Sequence, residues 1–568
     1  MIDLQQKLTH PTAQPAVTAN DSPKTHAMST PFLSTPASLI LLVILSLFAV
    51  APLFYPGFIQ THSGFIPVWN VLDLRANLGT LSWTPHVATT FDPLRSDGLL
   101  PYYVAALLPL SPTDAIKFTV GCGWMLGGLG MFLWLKSWLG EAGALVAGVA
   151  YIYLPSQIVN TYVRGAWGET LFWGLLPWAI LAATYLVTTP KIALIPIAAL
   201  FWLALGLSQL GLTFFGLIFI VIMLLTIHRP QALLPLLSAV LGTGIAIVLY
   251  GLLPATLFQS ASTLLTDHFL YPFQLFSAQW GFGASQPGWN DGLSLQIGLA
   301  AIGLTIIAVA IWLRESNPTI SRTDRRLLFF LAAAIIISLL QFSLTTILWR
   351  FLAGLVTYPW QLLGFIGLCL SILAGAALWL DPRLARLPLL GTIVIIVVLS
   401  VYPYLLPNFI QPETNWLDGP QASLGDNQLA LLDHTFTIET SGHTAGLNLG
   451  GTTIPLQLHG QLQPNETLNL AVTWQPMQNF ADNLKVFAHL VDTNGRVVAQ
   501  FDGYPQNNSY PTSQWLPGEI IADTYPILLP DTLPAGPYRI YLGLYDENTF
   551  ARLPIPGDSE GRVILDVR

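Results

Sequence analysis

The chain has 568 residues, 53% of them hydrophobic and only 9% charged, with a formal net charge of −8. Soluble domains carry about 25% charged residues, so this composition excludes an ordinary soluble globular protein and implies an integral membrane protein. The charge is unevenly divided, with 16 Lys and Arg against 13 Asp and Glu up to Leu406 and 6 against 17 beyond it; the acidic tail argues against nucleic acid as a partner, since phosphate binding needs clustered Lys and Arg.

Residues 1–31 are rich in Pro, Thr, Ser and Gln and read as a disordered cytoplasmic tail; the first apolar run comes too late for a signal peptide. Residues 32–409 read as a transmembrane domain. A span needs about 20 apolar residues, and runs of that size begin near Leu39, Ala115, Ala142, Glu169, Ile192, Leu210, Ala232, Gly292, Leu327, Trp360 and Leu390. The expectation is therefore a polytopic α-helical membrane protein of about eleven transmembrane helices. Lys and Arg are retained in short cytoplasmic loops. Alternate connections hold Lys136, Lys191, Arg229, the cluster Arg314, Arg322, Arg325 and Arg326, and Arg383 with Arg386, which places the N-terminus inside and the chain after the last helix outside. Cys122 and Cys369 both fall in apolar runs, as packed thiols rather than a disulfide framework.

Two external loops, 55–113 and 255–291, are longer than a connection requires, and long loops are functional or disordered. The first carries Asp73, Asp92 and Asp97 with Trp69 and Trp83. The second carries Asp267, His268, Trp280, Trp289 and Asp291. Between them a short turn reads Tyr162-Val163-Arg164-Gly165-Ala166-Trp167-Gly168-Glu169. Glu169 abuts an apolar helix and needs a partner, for which Arg164 is five residues back; the pair is either a structural bridge holding the turn or part of a catalytic site. Carboxylates elsewhere in the loops have a simpler reading as wet loop decoration.

Residues 410–568 change to short alternating runs. Lys485–Leu490 leads through Asn494-Gly495 into Val497-Val498-Ala499, and Asn-Gly between alternating strands signals a hairpin. A second hairpin runs from Tyr538 to Tyr545, turns at Asp546-Glu547-Asn548 and returns at Arg552. Strands at this spacing predict an extracytoplasmic β-sandwich. Trp474, Trp515, Tyr504 and Tyr510 read either as a sugar platform or, for Trp474 above all, as core. No loop has the spacing of a calcium site.

Trp83-Thr84-Pro85, Val163-Arg164-Gly165 with Glu169 and Pro177, the stretch Asp267–Pro272 with Gln274, Leu275, Trp280 and Gly281, Asn290-Asp291-Gly292 with Gln296 and Gly298, and Tyr358-Pro359-Trp360 carry a resemblance. Together with Pro511–Glu519 they make the chain, from about Ala51 to its end, similar to the bacterial 6-pyruvoyl-tetrahydropterin synthase-related membrane proteins, which belong with the GT-C glycosyltransferase superfamily. The family name implies no pterin chemistry. The resemblance implies a GT-C-like multi-pass protein of the bacterial plasma membrane that moves a sugar from a polyprenyl-phosphate carrier to a glycan, lipid or protein acceptor on the external face. It implies Asp73, Asp97 or Glu169 as the catalytic carboxylate. His62, Arg164, Asp267, His268, Gln274, Trp280, Asp291, Trp360 and Gln361 are then substrate-binding. No cofactor is fixed by it, although the first-loop carboxylate of such enzymes either takes the acceptor proton or holds a divalent metal. An acceptor hydroxyl needs a base within hydrogen-bond reach, and a departing lipid phosphate needs cationic or dipolar stabilisation.

The chain departs from these relatives in three places. His62-Ser63-Gly64 stands where they read His-Asp-Gly, Ser208-Gln209-Leu210 where they read Ser-His-Asn, and Tyr358-Pro359-Trp360-Gln361 where they read Phe-Pro-Trp-Arg. A lone serine is not a general base. Either Asp73, Asp97 or Glu169 has taken over as the base, or this is a degenerate member that binds a glycan or lipid without transferring it; a transporter of lipid-linked glycans is a separate alternative, although no internal repeat supports it.

Overall fold

The structure, a computed structural model, describes residues 34–77, 94, 98–227, 233–252, 268–315, 322–352, 354–417, 419–425, 428–440, 443–448, 462–534 and 536–567. The tail expected at 1–31 lies outside them. Helix α1 (Thr35–Val50) starts where the Ser34 hydroxyl accepts the Ala37 N–H, with proline in its first turn. Ile40, Ile44 and Leu47 are exposed on it while Leu42, Ala49 and Val50 are buried, so one side packs on protein and the other is left for lipid.

The described part of the first long loop is built into elements. It forms strand β1 (Phe58–Ile59), helix α2 (Ile66–Ala76) and helix α3 (Leu100–Leu107). Arg75 donates to the carbonyls of Ala105, Ala106 and Leu108, satisfying acceptors that the end of α3 leaves open.

Helix α4 (Pro112–Ile152) reverses at Gly140, whose φ of 70° and ψ of −179° interrupt it. Trp124 Nε1 donates to the Ile152 carbonyl at 3.0 Å, and a Cβ on Gly128 would meet the Ile152 side chain and the Gly148 carbonyl. Its two arms therefore lie antiparallel, the second continuing through α5 (Pro155–Val159) to the loop before α6 (Trp167–Thr188). The remaining helices are α7 (Ile195–Ser208), α8 (Leu210–Ile227), α9 (Leu233–Gly251), α10 (Leu299–Glu315), α11 (Arg322–Leu340), α12 (Thr346–Leu352), α13 (Leu363–Leu380) and α14 (Leu387–Leu399). Small residues let the backbones close up: a Cβ on Gly143 would lie 2.7 Å from the Gly375 carbonyl, and one on Gly174 2.0 Å from that of Gly123.

Among the described residues six helices are long and apolar enough to cross a membrane, or seven if the sharply bent pair α11 and α12 counts as one span. These mark a membrane protein. A helix lies near each predicted start, but α7, α10 and α14 are shorter apolar helices. At 1.5 Å per residue, the 13 residues of α14 reach only about 20 Å of a hydrocarbon core of about 30 Å. Among the described residues the count of eleven full spans is therefore not confirmed.

Beyond α14 the chain forms β2 (Phe409–Ile410), β3 (Ala422–Leu424), β4 (Leu429–Thr440), β5 (His443–Asn448), β6 (Thr467–Pro476), β7 (Lys485–Val491), β8 (Val497–Gly503), β9 (Ile521–Leu528), β10 (Tyr538–Tyr545) and β11 (Val563–Val567). Two antiparallel sheets result, one ordered β11-β10-β7-β8 and one β3-β4-β6-β9 with β5 on β4. They share one apolar core, to which Leu470 and Trp474 contribute from one sheet and Leu490 and Leu542 from the other. The β7–β8 hairpin turns at Gly495 with φ 76°, and Tyr545 pairs with Arg552 across the second predicted turn. Trp474 and Trp515 are fully buried, their indole N–H groups donating to the Tyr525 hydroxyl and the Tyr510 carbonyl, so both are core.

The β region is joined tightly to the first loop. Strand β1 pairs with β2, Phe58 opposite Ile410, and Trp69 Nε1 donates to the Trp416 carbonyl at 2.8 Å. Gly518 has φ 74°, and a Cβ there would lie 1.8 Å from the Thr61 carbonyl. Gly518→Ala is accordingly expected to push the two apart, costing at least the roughly 1–3 kcal/mol of a strained backbone. Limited proteolysis of the purified chain should then cut faster between the helices and the β region.

Candidate functional site

The site begins with one irregular turn. After α5 the chain makes a single π-helical turn, Asn160–Arg164, closed by Gly165 at φ 66°. A Cβ on Gly165 would lie 2.3 Å from Thr61 Oγ1, so glycine is required both for the left-handed backbone and for the contact. The turn aims Arg164 at the start of α6. Its Nη1 donates to Glu169 Oε2 at 2.7 Å and to Asn160 Oδ1 at 2.7 Å, and its Nη2 donates to Glu169 Oε1 at 2.9 Å. Glu169 is buried, its side chain 2% exposed against 15% for Arg164. Gln361 Nε2 donates to Glu169 Oε1 at 2.5 Å, while Gln361 Oε1 accepts the N–H groups of Thr357 and Tyr358. Both oxygens of Glu169 are thus engaged, which makes the carboxylate a clamp on the guanidinium fork.

Trp360 lies under that guanidinium, 4.6 Å from ring centre to Cζ, and stacks on Tyr358 at 4.7 Å. Its indole N–H donates to Ser285 Oγ at 3.2 Å. Ser285 in turn donates to Asp291 Oδ2 at 3.0 Å and lies 3.1 Å from His268 Nδ1. A serine has one proton to give, so with Asp291 accepting it His268 Nδ1 is the donor in that contact. Burial pushes the Asp291 carboxyl above the usual carboxylate range, against the opposing hydrogen bonds from Leu293 N–H, Ser285 and Gln286 N–H.

His62 enters from the first loop, where its N–H donates to the Val163 carbonyl at 2.9 Å. Its Nε2 lies 2.6 Å from the Phe282 carbonyl, an acceptor, so Nε2 carries the proton and Nδ1 keeps a lone pair. Burial lowers the imidazole to about 4, opposed by the Phe282 carbonyl and aided by the Arg164 charge. The Ser63 hydroxyl lies 3.2 Å from the Arg164 carbonyl and 3.0 Å from that of Gly165 and shares its one proton between them. Its hydroxyl holds the turn.

These groups line a cavity of about 400 Å³, within the roughly 300–1,000 Å³ of small-molecule sites. His62, Ser63, Arg164, Glu169, Tyr358, Trp360 and Gln361 form its floor and walls, and Met477, Gln478, Asn479 and Pro517 from the β region complete it. It sits at the N-terminal ends of α6 and of the span Pro359–Leu380, where helix dipoles favour negative charge.

The structure therefore brings His62, Arg164, Glu169, Trp360 and Gln361 to one hollow, with His268 and Asp291 behind Ser285. Gln274 and Trp280 hold the second loop instead: Gln274 Oε1 accepts the Tyr271 N–H at 2.7 Å, and Trp280 stacks on Tyr404 at 4.3 Å. Asp73 is half-buried on α2, seven residues and so about 10 Å along that helix from Ile66, and is not among the residues that line the cavity. Asp97 and Asp267 lie outside the described residues. Sequence reasoning missed Ser285, Asn160 and the wall from the β region. Only Pro517 had a signal, as part of the stretch Pro511–Glu519. Among the described residues no group of three His, Cys, Asp or Glu side chains is placed to hold a metal.

No family model matches the chain, and no curated protein matches it. Among solved structures it is similar to the oligosaccharyltransferase of Archaeoglobus fulgidus, determined in complex with Zn and sulfate, at 14% identity and a TM-score of 0.35 over 67% of this chain and 54% of that one. The chain thus spans about half the length of that protein, and at this TM-score the likeness carries no argument.

Proposed function

We propose that the cavity transfers a sugar from a polyprenyl-phosphate carrier to an acceptor hydroxyl on the side of the membrane that bears the β region, in the manner of a GT-C glycosyltransferase. The observation that carries this reading is the pairing of a proton acceptor and a fixed cation in one hollow at the ends of membrane spans. His62 Nδ1 takes the acceptor proton, the acceptor oxygen bonds to the anomeric carbon, and the bond from that carbon to the carrier phosphate breaks. Its electron pair stays on the phosphate oxygen, beside Arg164. With a value of about 4, His62 has the basicity of an aspartate and so replaces the carboxylate missing at Ser63. Glu169 and Gln361 are positioning residues for Arg164.

Ser63 and Gln361 in place of an acid and a cation favour a second reading, in which the hollow binds a glycan or lipid without transfer. Transfer from a panel of polyprenyl-phosphate sugars, measured in proteoliposomes with Asp73→Asn, Asp97→Asn, Glu169→Gln and His62→Gln, separates these roles. The expected result is near-full loss in His62→Gln, partial loss in Glu169→Gln and little change in the two aspartate variants. Loss confined to Asp73→Asn or Asp97→Asn would return the base to the first-loop carboxylates.

A further inference from the structure

A second hollow of about 300 Å³ lies at the other end of α6, among α4, α8 and α11. Leu181, the first residue of α6 that lines it, is 12 residues beyond Glu169, so the two cavities are separated by about 18 Å along that helix. Its wall is amphipathic. The Arg326 guanidinium lies 5.1 Å over the Trp138 ring, Trp138 stacks on Phe330 at 5.9 Å, and Ser137 and Thr184 add hydroxyls. The Trp138 ring and the Arg326 guanidinium together give the wall of the hollow one apolar face and one cation.

A third hollow, of about 360 Å³, adjoins it and shares Leu181 and Tyr185 with it. It is a trough between α6 and α7, walled by Trp178, Leu186, Ile197 and Phe201. From Trp178 to Leu186 is eight residues of α6, about 12 Å, close to the hydrocarbon depth of one leaflet. The Arg326 cation thus sits beside an apolar trough about one acyl chain deep. Arg322 and Arg325 belong to the same end of α11; the acid there, Asp324, accepts from Trp312 at 2.7 Å.

We infer that these joined hollows bind a membrane phospholipid with an anionic headgroup, its phosphate at Arg326 and one acyl chain in the α6–α7 trough. Basic pockets between spans hold such headgroups, each cation adding about fivefold or more in affinity. The site is separate from the proposed transfer cavity and does not depend on its chemistry.

The test uses the full chain in detergent and native mass spectrometry with phosphatidylglycerol, phosphatidylcholine of the same chains, polyprenyl phosphate and glycerol 3-phosphate. Phosphatidylglycerol should bind with a stoichiometry of one and at least about fivefold more tightly than phosphatidylcholine. Arg326→Gln should remove that preference, Ala182→Trp in the trough should weaken both phospholipids, and glycerol 3-phosphate should not compete. Equal binding of the two phospholipids, an unchanged preference in Arg326→Gln, tighter binding of polyprenyl phosphate, or competition by glycerol 3-phosphate alone would each overturn the assignment. Should Arg326→Gln fail to fold, Ala182→Trp decides: unaltered lipid binding there removes the trough from the site.

Discussion

Arg164→Ala should destabilise the protein by about 3–5 kcal/mol, because it leaves the Glu169 carboxylate buried without its ionic partner. Glu169 is 2% exposed and its two oxygens take both guanidinium nitrogens, so the carboxylate loses its strongest donors while still largely withdrawn from solvent. The double change Arg164→Met with Glu169→Gln removes the charges together and should regain most of that stability, since a buried pair contributes little net relative to well-packed neutral groups. Activity should behave differently. Both variants lose the cation beside the proposed leaving phosphate, and losing one donor to a developing anion costs about 10²–10³ in rate. Arg164→Lys keeps a charge but not the fork, so it should fall between the parent and Arg164→Ala in both measurements. Denaturant unfolding in detergent alongside a transfer assay separates the two effects; a double variant as unstable as the single would show that the pair itself, and not its desolvated remnant, holds the turn.

His62→Gln should cost about 10²–10⁴ in transfer, the range for loss of a general base, while leaving the fold intact because glutamine can still donate to the Phe282 carbonyl. The pH dependence is distinctive. An ordinary histidine would give an inflection near 6.5, whereas His62 stays neutral down to about 4, so the rate should be level from pH 8 to about pH 5 and fall by half near pH 4. Stability follows the same group. Its folded value lies below the unfolded one, so between pH 6.5 and 4 the unfolded chain gains a proton that the folded chain does not. Stability is therefore lost as pH falls through that window and levels off below it. The loss is roughly 3 kcal/mol at most, at 1.36 kcal/mol per unit, and it should vanish in His62→Gln. Arg164 and Glu169, which line the same cavity, remain in that variant and serve as its internal control.

Much of this arrangement is legible in the residues, for reasons that can be stated. Apolar runs located the helices, and Asn494-Gly495 located a hairpin, because both signals are local. The Arg164–Glu169 pair was legible because five residues and a membrane edge leave a carboxylate few other partners. Span lengths were not, since an apolar run does not distinguish a helix from a buried extended segment: Leu293, Leu295 and Ile297 are buried, but they precede α10, and Gly298 at φ 95° separates them from it. Ser63 could be read as a lost acid yet not as a hydroxyl bound to the Arg164 and Gly165 carbonyls. Met477–Asn479 carry no local signal for a cavity whose floor lies more than 100 residues earlier in the chain, because that contact exists only once the β region is seated by Gly518 and by Gly64, where a Cβ would meet the Gln475 side chain. The link from Trp360 through Ser285 to Asp291 is hidden in the same way, in an irregular segment whose course depends on what surrounds it.

The most direct measurement is a single turnover of labelled polyprenyl-phosphate sugar by the parent protein and by His62→Gln in proteoliposomes, with donor binding measured in parallel. The account predicts donor affinities within about twofold of each other and release of free carrier phosphate slowed by about 10² or more in the variant. Equal release from both proteins, or tight donor binding with no release from the parent, would contradict it.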